Sequence, residues 1–395
     1  MKTCSSISSR QNNGNSMLMS MLVVAVFFSM ASRAIFSPLM PMLQKEMGVT
    51  LSLAGTLFLL LSISYAVAML FCGFLAARIG HGKTIVTALA MIAFGLLLAA
   101  LAPNVPLLAV GLFLIGAGAG TYPPSGIVMI NTKISLQKRS TAFAYHEVGP
   151  NLALLLAPLF VLAIEPWFGW RGVLIWMALV CALASVAFLR WGAADSGIGA
   201  APDISTIGTI LKLRSTLVGM VILSATLGGL HGVYSILPAY LVTEHSLSPQ
   251  YVNVLLMLSR IAGVLLLLKT GAIINRIGKR KTIIWVLLFS SLFTGLVGLV
   301  KGALIPIVVI VQPAFIAILI PALLSSIAEI GEIHYQNITY AVIIIVGVGF
   351  GAGVAPALLG FFGDMGFGWA GFVTLAGYMV LAVLFLLKTP MFGRE

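Results

Sequence analysis

Runs of about 20 apolar residues, each able to cross a hydrocarbon layer of about 30 Å, recur from Met17 to Leu387. Short polar breaks separate them, and none shows the ten-residue apolar/polar alternation of a membrane barrel. The pattern therefore predicts helices, each satisfying its own backbone hydrogen bonds inside lipid. Twelve spans follow: 17–43, 51–76, 84–102, 105–130, 140–164, 172–191, 216–243, 250–274, 282–300, 303–328, 337–362 and 369–388. The expected fold class is an all-α membrane protein.

Composition agrees with that reading. Of 395 residues, 60% are hydrophobic and 8% charged, against about 25% charged in soluble domains. The net charge of +12 does not point to nucleic acid, because no basic cluster sits on a soluble module that could enter a groove. The positive-inside rule accounts for it instead. With the N-terminus in the cytoplasm, seventeen Lys and Arg lie inside, and only Lys45, Arg171 and Lys301 lie outside. Both termini are then cytoplasmic, in a multi-pass protein of the cell (inner) membrane. Cys4, Cys72 and Cys181 form neither a disulfide framework nor a metal set. Residues 1–16 are polar and no A-x-A-like cleavage site follows, so the first helix is expected to remain uncleaved.

The longest polar connector, 192–215, divides the chain into a tail (1–16), a six-helix bundle (17–191), the linker itself, a second bundle (216–388) and a C-terminal tail (389–395). The two bundles match at an offset of 198. Gly73, Arg78, Gly80, Lys83 and Thr84 return as Gly271, Arg276, Gly278, Lys281 and Thr282, and Glu46, Pro123, Gly149 and Pro158 as Glu244, Pro321, Gly347 and Pro356. FGW at 168–170 returns at 367–369, one residue out of register. Arg, Lys and Glu recurring at one offset identify structural repeats.

The loop GFLAARIGHGKT (73–84) and its copy GAIINRIGKRKT (271–282) resemble the glycine-x-leucine-x-aspartate-arginine-x-glycine-arginine-lysine loop of the major facilitator superfamily. The resemblance extends over nearly the whole chain and implies two pseudo-symmetric six-helix bundles, with Gly73, Arg78, Gly80, Lys83, Gly271, Asn275, Arg276, Gly278 and Lys281 in cytoplasmic gate loops. The chain departs from the family where the loop carboxylate, part of a charge latch, is Ala77 in one copy and Asn275 in the other. Arg78 and Arg276 remain able to cap nearby helix C-termini.

Ionisable groups inside spans are costly and thus candidates for function. Arg33 in span 1 and Arg260 in span 8 lie about 12–15 Å deep, His231 in span 7 about 18 Å, and His146, with Glu147 beside it in span 5, about 9 Å from the opposite end. Arginine keeps its charge and offers a planar fork of donors suited to carboxylate or phosphate. An anion held by Arg33 and Arg260 would supply the differential affinity that alternating access requires. The competing reading is a structural brace, and Glu147 alone can neutralise only one arginine. His146 and Glu147 point about 100° apart and are candidates for proton coupling, with a brace as the alternative. His231 occupies the repeat position of Arg33. Tyr122 and Gln312, beside the prolines of spans 4 and 10, offer neutral contacts.

RAIFSPLMP (33–41) is similar to first-span motifs of organic-anion branches of the superfamily, and HEVGPN (146–151) to the span-5 His-x-Val-Gly of phosphate-ester antiporters. The symporter branch has Asp where Ser32 stands here, the phosphate-ester antiporters a span-7 arginine where His231 stands, and a span-8 arginine belongs to monocarboxylate, oxalate and nitrate transporters. No single branch is matched fully. GHGKT (80–84) lacks the first glycine of a phosphate loop, and the glycine runs at 116–120 and 347–353 suit helix packing better than a cofactor.

The expectation is a secondary transporter, not an enzyme, moving a small organic or phosphorylated anion by alternating access. It needs no cofactor beyond H⁺ or a counter-anion as coupling ion, and its partners are the solute and the bilayer, with a monomeric state. A proton-driven exporter of drugs or metabolites is the first alternative, and a non-transporting sensor on the same scaffold the second.

Overall fold

The computed structural model describes residues 2–192, 208, 210–267, 269–316, 318–319, 322–323 and 336–389, and within them all side chains except those of 2–15, 137, 140, 267, 336–338 and 340. The expected linker falls largely outside the described residues, as do the C-terminal tail past Thr389 and the second half of the tenth span. The described residues form helices and no strand. In chain order these are α1 (Lys2–Ala34), α2 (Phe36–Met47), α3 (Leu51–Ile79), α4 (His81–Ala100), α5 (Val105–Lys133), α6 (Arg139–Trp191), α7 (Arg214–Leu227), α8 (Val233–His245), α9 (Pro249–Leu267), α10 (Thr270–Ile277), α11 (Lys279–Leu299), α12 (Ile305–Ile316), α13 (Gln336–Val348), α14 (Ala355–Asp364) and α15 (Gly368–Lys388).

Ten stretches among the described residues are long and apolar enough to cross a membrane, where the sequence predicted twelve. The difference has two sources. The expected spans 140–164 and 172–191 follow each other with no loop between them, as two helices joined within Thr141–Trp191. That stretch bends at Gly169, whose φ of 64° is non-helical. The expected span 303–328 is described only as the short apolar helix Gly302–Ile316. Side chains such as Phe94, Leu183 and Leu189 are exposed on helix faces, as lipid-facing residues are.

Two compact units emerge. One holds Met1–Ile35, Ser64–Phe160 and Ile164–Pro202, the other Phe36–Ile63, Val161–Ala163 and Asp203–Glu395. The core of the first packs Leu22, Ile85, Leu89, Met129, Ile130 and Phe188. That of the second packs Ile222, Leu223, Ile283, Leu287, Ile316 and Met379.

Local breaks follow from sequence. Pro38 has no N–H to give the Ala34 carbonyl, four residues back, and helicity lapses at Ile35 between α1 and α2. Within the second unit, the first amides of α3 are satisfied from two sides. Asp364, the last residue of α14, accepts from Leu51 N and Ser52 N at 2.9 Å each. Thr50 Oγ1 accepts from Leu53 N at 3.2 Å. A carboxylate there also complements the positive end of the helix dipole.

Candidate functional site

Arg33 is the last basic residue of α1, two residues before the Ile35 lapse. Its Nε donates to Ser29 O at 3.2 Å and its Nη2 to Met30 Sδ at 3.1 Å. The guanidinium lies 4.5 Å from the centroid of the Tyr65 ring on α3. Tyr65 is held close in turn, since a Cβ on Gly120 of α5 would overlap its carbonyl oxygen.

Arg260 on α9 belongs to the second unit and repeats the arrangement, its guanidinium 4.5 Å from the centroid of Tyr234 on α8. The two pairs are crossed with respect to the repeat. At the offset of 198, Arg33 and Tyr234 sit on equivalent helices three residues out of register, as do Tyr65 and Arg260. Each half thus carries one arginine stacked on one tyrosine, with the partners exchanged between its first and second helix. Such stacking holds a guanidinium plane in place while leaving its N–H edge free to bind. Ser37 Oγ on α2 donates to the Tyr234 carbonyl and fixes the α8 backbone at that point.

In the first unit, Tyr122, His146 and Glu147 are brought together. Tyr122 is fully buried. Its hydroxyl lies 2.8 Å from Leu22 O and 2.8 Å from His146 Nε2, and its ring stacks on the imidazole. A carbonyl only accepts, so the single phenolic proton goes to Leu22 O. His146 Nε2 must then carry a hydrogen and donate to the phenol oxygen. Nδ1 is the nitrogen left to take up a proton, and it faces Glu147 Oε1 at 3.7 Å. The sequence placed these neighbours on different faces. Their surroundings do differ, His146 being buried and the Glu147 side chain 55% exposed, yet the longer glutamate turns back to the ring.

Replacing Tyr122 with Phe leaves Leu22 O and His146 Nε2 without their partner and is expected to lower stability by about 1–3 kcal/mol. The double variant Tyr122→Phe/His146→Phe is expected to lose less than the sum of the singles. Thermal melts of the four proteins check this, and strict additivity contradicts the network.

The remaining predicted residues are placed as follows. His231 is half-buried in a π-helical turn, Gly228–Gly232, between α7 and α8. Gln312 commits both N–H donors, to Gly229 O at 2.8 Å and Thr294 Oγ1 at 3.1 Å. It therefore braces the turn that carries His231, since a π-turn leaves carbonyls without their usual partners. In the two repeated loops, Arg78, Lys83, Asn275, Arg276 and Lys281 are exposed, Gly73 is half-buried and Gly271 exposed. Gly80 and Gly278 have φ of 81° and 84°. That left-handed region is open to glycine at no steric cost and lets one helix end and the next begin at a single residue. Four residues on, Thr84 and Thr282 each donate to that glycine's carbonyl at 2.8 Å. The two loops share one geometry at the repeat offset. Among the described residues no His, Cys, Asp and Glu cluster could hold a metal.

Sequence reasoning missed Tyr65, Tyr234, Ser37 and Asp364. The signal available for the tyrosines was positional, since each lies on a helix adjacent in the chain to an arginine at similar depth.

Comparisons with known proteins agree with this architecture. The chain is 24% identical over 243 residues to an uncharacterized MFS-type transporter of Bacillus subtilis (strain 168), covering 62% of each chain. It is 23% identical over 185 residues to Multidrug resistance protein D of Escherichia coli (strain K12), covering 46% of each. The matches thus span less than two thirds of these curated relatives. A crystal structure of a bacterial homologue of the human lysosomal transporter Spinster, inward-facing and occupied, superposes with a TM-score of 0.72 at 14% identity, over 95% of both chains. That likeness shows the fold. The Major Facilitator Superfamily profile matches residues 22–330. With its membrane-spanning helices, its repeated loops and this match over most of its length, the chain belongs to the Major Facilitator Superfamily, whose members are transporters rather than enzymes.

Proposed function

We propose that the chain is a secondary active transporter that carries a small organic or phosphorylated anion across the cytoplasmic membrane by alternating access. Its two bundles hold twelve spans, the kinked Thr141–Trp191 stretch counting as two and Gly302–Ile316 beginning another. Both termini are cytoplasmic on this reading. The observation that carries it is Arg260: a guanidinium only 8% exposed, on a membrane-spanning helix, with no carboxylate against it among the described residues. A charge buried so deeply costs several kcal/mol unless something neutralises it. A transported anion does so transiently, whereas a permanent brace would do so always. Arg33, with part of its fork on Ser29 and Met30, is the second anion-binding group. His146 Nδ1 beside Glu147 is the place where a coupling proton would sit.

The relative named Multidrug resistance protein D favours one alternative, a proton-driven exporter. Two arginines in the spans with no carboxylate against them among the described residues weigh against it, because a site for amphipathic cations would be lined by acids.

Thermal melts of the purified protein with carboxylates, phosphate esters and inorganic anions discriminate between the two. At least one anion is expected to raise the melting temperature, and Arg33→Ala and Arg260→Ala to abolish that rise. An unchanged rise in both variants, or stabilisation by lipophilic cations only, sinks the proposal.

A further inference from the structure

Two donors in the second unit are shut off from solvent and have no partner among the described residues: Arg260 Nε and the hydroxyl of Tyr234. The residues are 8% and 4% exposed, and the guanidinium stacks on the ring. They lie at one depth. Tyr234 is eleven residues before the end of α8 at His245, and Arg260 eleven after the start of α9 at Pro249, which is roughly 16 Å in each case. Other orphaned polar atoms occur in this unit, among them the Thr216 and Ser290 hydroxyls, His245 Nε2, the Asn253 amide and Arg280 Nε. The Tyr234–Arg260 pair differs in that a charged donor and a hydroxyl are orphaned on two side chains that touch each other.

Their chemistry defines what is missing. Arginine donates only, and the phenol has a proton to give. Both therefore need an acceptor, and the guanidinium needs a negative one. A water would serve the phenol but leave the charge. A halide would serve the charge but offers no set of separate oxygens to meet a planar fork and a phenol together. One oxyanion group meets both demands. We propose that Tyr234 and Arg260 form a single oxyanion subsite, in which a carboxylate or phosphate oxygen of the solute accepts the phenolic proton while the guanidinium binds the same group. This rests on the reading of Arg260 as an anion ligand and adds Tyr234 as the residue that selects oxyanions over halides. The Ser37 hydroxyl, donating to the Tyr234 carbonyl, positions the ring for that role.

Tyr234→Phe keeps the ring beneath the guanidinium and removes only the donor. The experiment is a thermal-melt titration of wild type, Tyr234→Phe and Arg260→Ala with acetate, oxalate, inorganic phosphate, glycerol 3-phosphate and chloride. In anion-free buffer Tyr234→Phe is expected to melt at or above wild type, because it deletes an unsatisfied buried hydroxyl. Half-saturation by the stabilising oxyanion is expected to shift upward roughly tenfold or more, the worth of one hydrogen bond to a charge. Chloride is expected to stabilise neither protein.

A melting temperature below wild type without anion would make the hydroxyl structural and overturn the subsite. So would unchanged oxyanion affinity in Tyr234→Phe alongside its loss in Arg260→Ala, which leaves the transporter reading standing. Unchanged affinity in Arg260→Ala, or no oxyanion stabilising wild type at tens of millimolar, overturns both. Oxyanions weakened about equally in both variants support both.

Discussion

Arg260→Leu is expected to abolish solute movement in proteoliposomes, by a hundredfold or more, while making the anion-free protein more stable. Loss and gain have one cause. A bound oxyanion takes charge-assisted bonds from the guanidinium worth about 1.5–3 kcal/mol each. Losing two of them exceeds the ~2.7 kcal/mol that corresponds to a hundredfold change in affinity. Without the anion, the same guanidinium is a buried charge set against the Tyr234 ring, and a desolvated cation–π contact contributes about 2 kcal/mol or somewhat more. Desolvation of the charge costs several, so desolvation wins and leucine, which fills the aliphatic part of the space, relieves it. Arg33→Leu is expected to impair transport as well but to change stability less, because Arg33 is only half-buried and already donates to Ser29 O and Met30 Sδ. Uptake into proteoliposomes, paired with melts in anion-free buffer, reads both effects. A variant that transports normally, or an Arg260→Leu protein markedly less stable than wild type, contradicts the account.

What the chain discloses before folding depends on the range of the interaction. Apolar runs and glycine-marked loops are local, and so the helices, the repeat and the paired loop glycines at 80 and 278 could be read directly. The charges at 33, 146, 147, 231 and 260 were visible because any ionisable residue in an apolar run stands out. Their partners were not. A tyrosine in a greasy helix carries no signal of its own, and pairing Arg33 with Tyr65 requires knowing which faces of α1 and α3 meet. Tyr122 and Gln312 were found as polar residues near the middle of spans but not as braces, since the groups they satisfy, Leu22 O and Gly229 O, are backbone atoms far away in sequence. At Gly169 two helices meet at a kink, so the expected fifth and sixth spans follow each other within one apolar stretch where the polar pattern had placed a connection.

Gly360→Ala is expected to open the seam between α3 and α14, and Asp364→Ala to open it partly. The loops lack their usual carboxylate at Ala77 and Asn275, yet a carboxylate holding a helix N-terminus is present here in Asp364, 313 residues from the Leu51 amide that it caps. The seam joins spans from the two sequence halves within one compact unit. On the orientation proposed above it lies at the outer face, where alternating access must part it. Removing Asp364 forfeits two amide bonds and a favourable charge at the helix dipole, together about 1–3 kcal/mol. Gly360 is stricter, because a Cβ there would overlap the Leu51 carbonyl, which is backbone and cannot rotate away. Overpacking against backbone should cost about 3 kcal/mol, the upper end of its usual range.

Hydrogen exchange followed by mass spectrometry over 48–60 is therefore expected to quicken modestly in Asp364→Ala and strongly in Gly360→Ala. Adding Asp364→Ala to Gly360→Ala should change little further, because the cap cannot form once the seam has parted. Asp364→Asn, which keeps one acceptor oxygen, should fall between wild type and Asp364→Ala. Equal exchange in all of these variants would mean that the seam does not hold α3, and additive effects would mean that the cap and the close packing act independently.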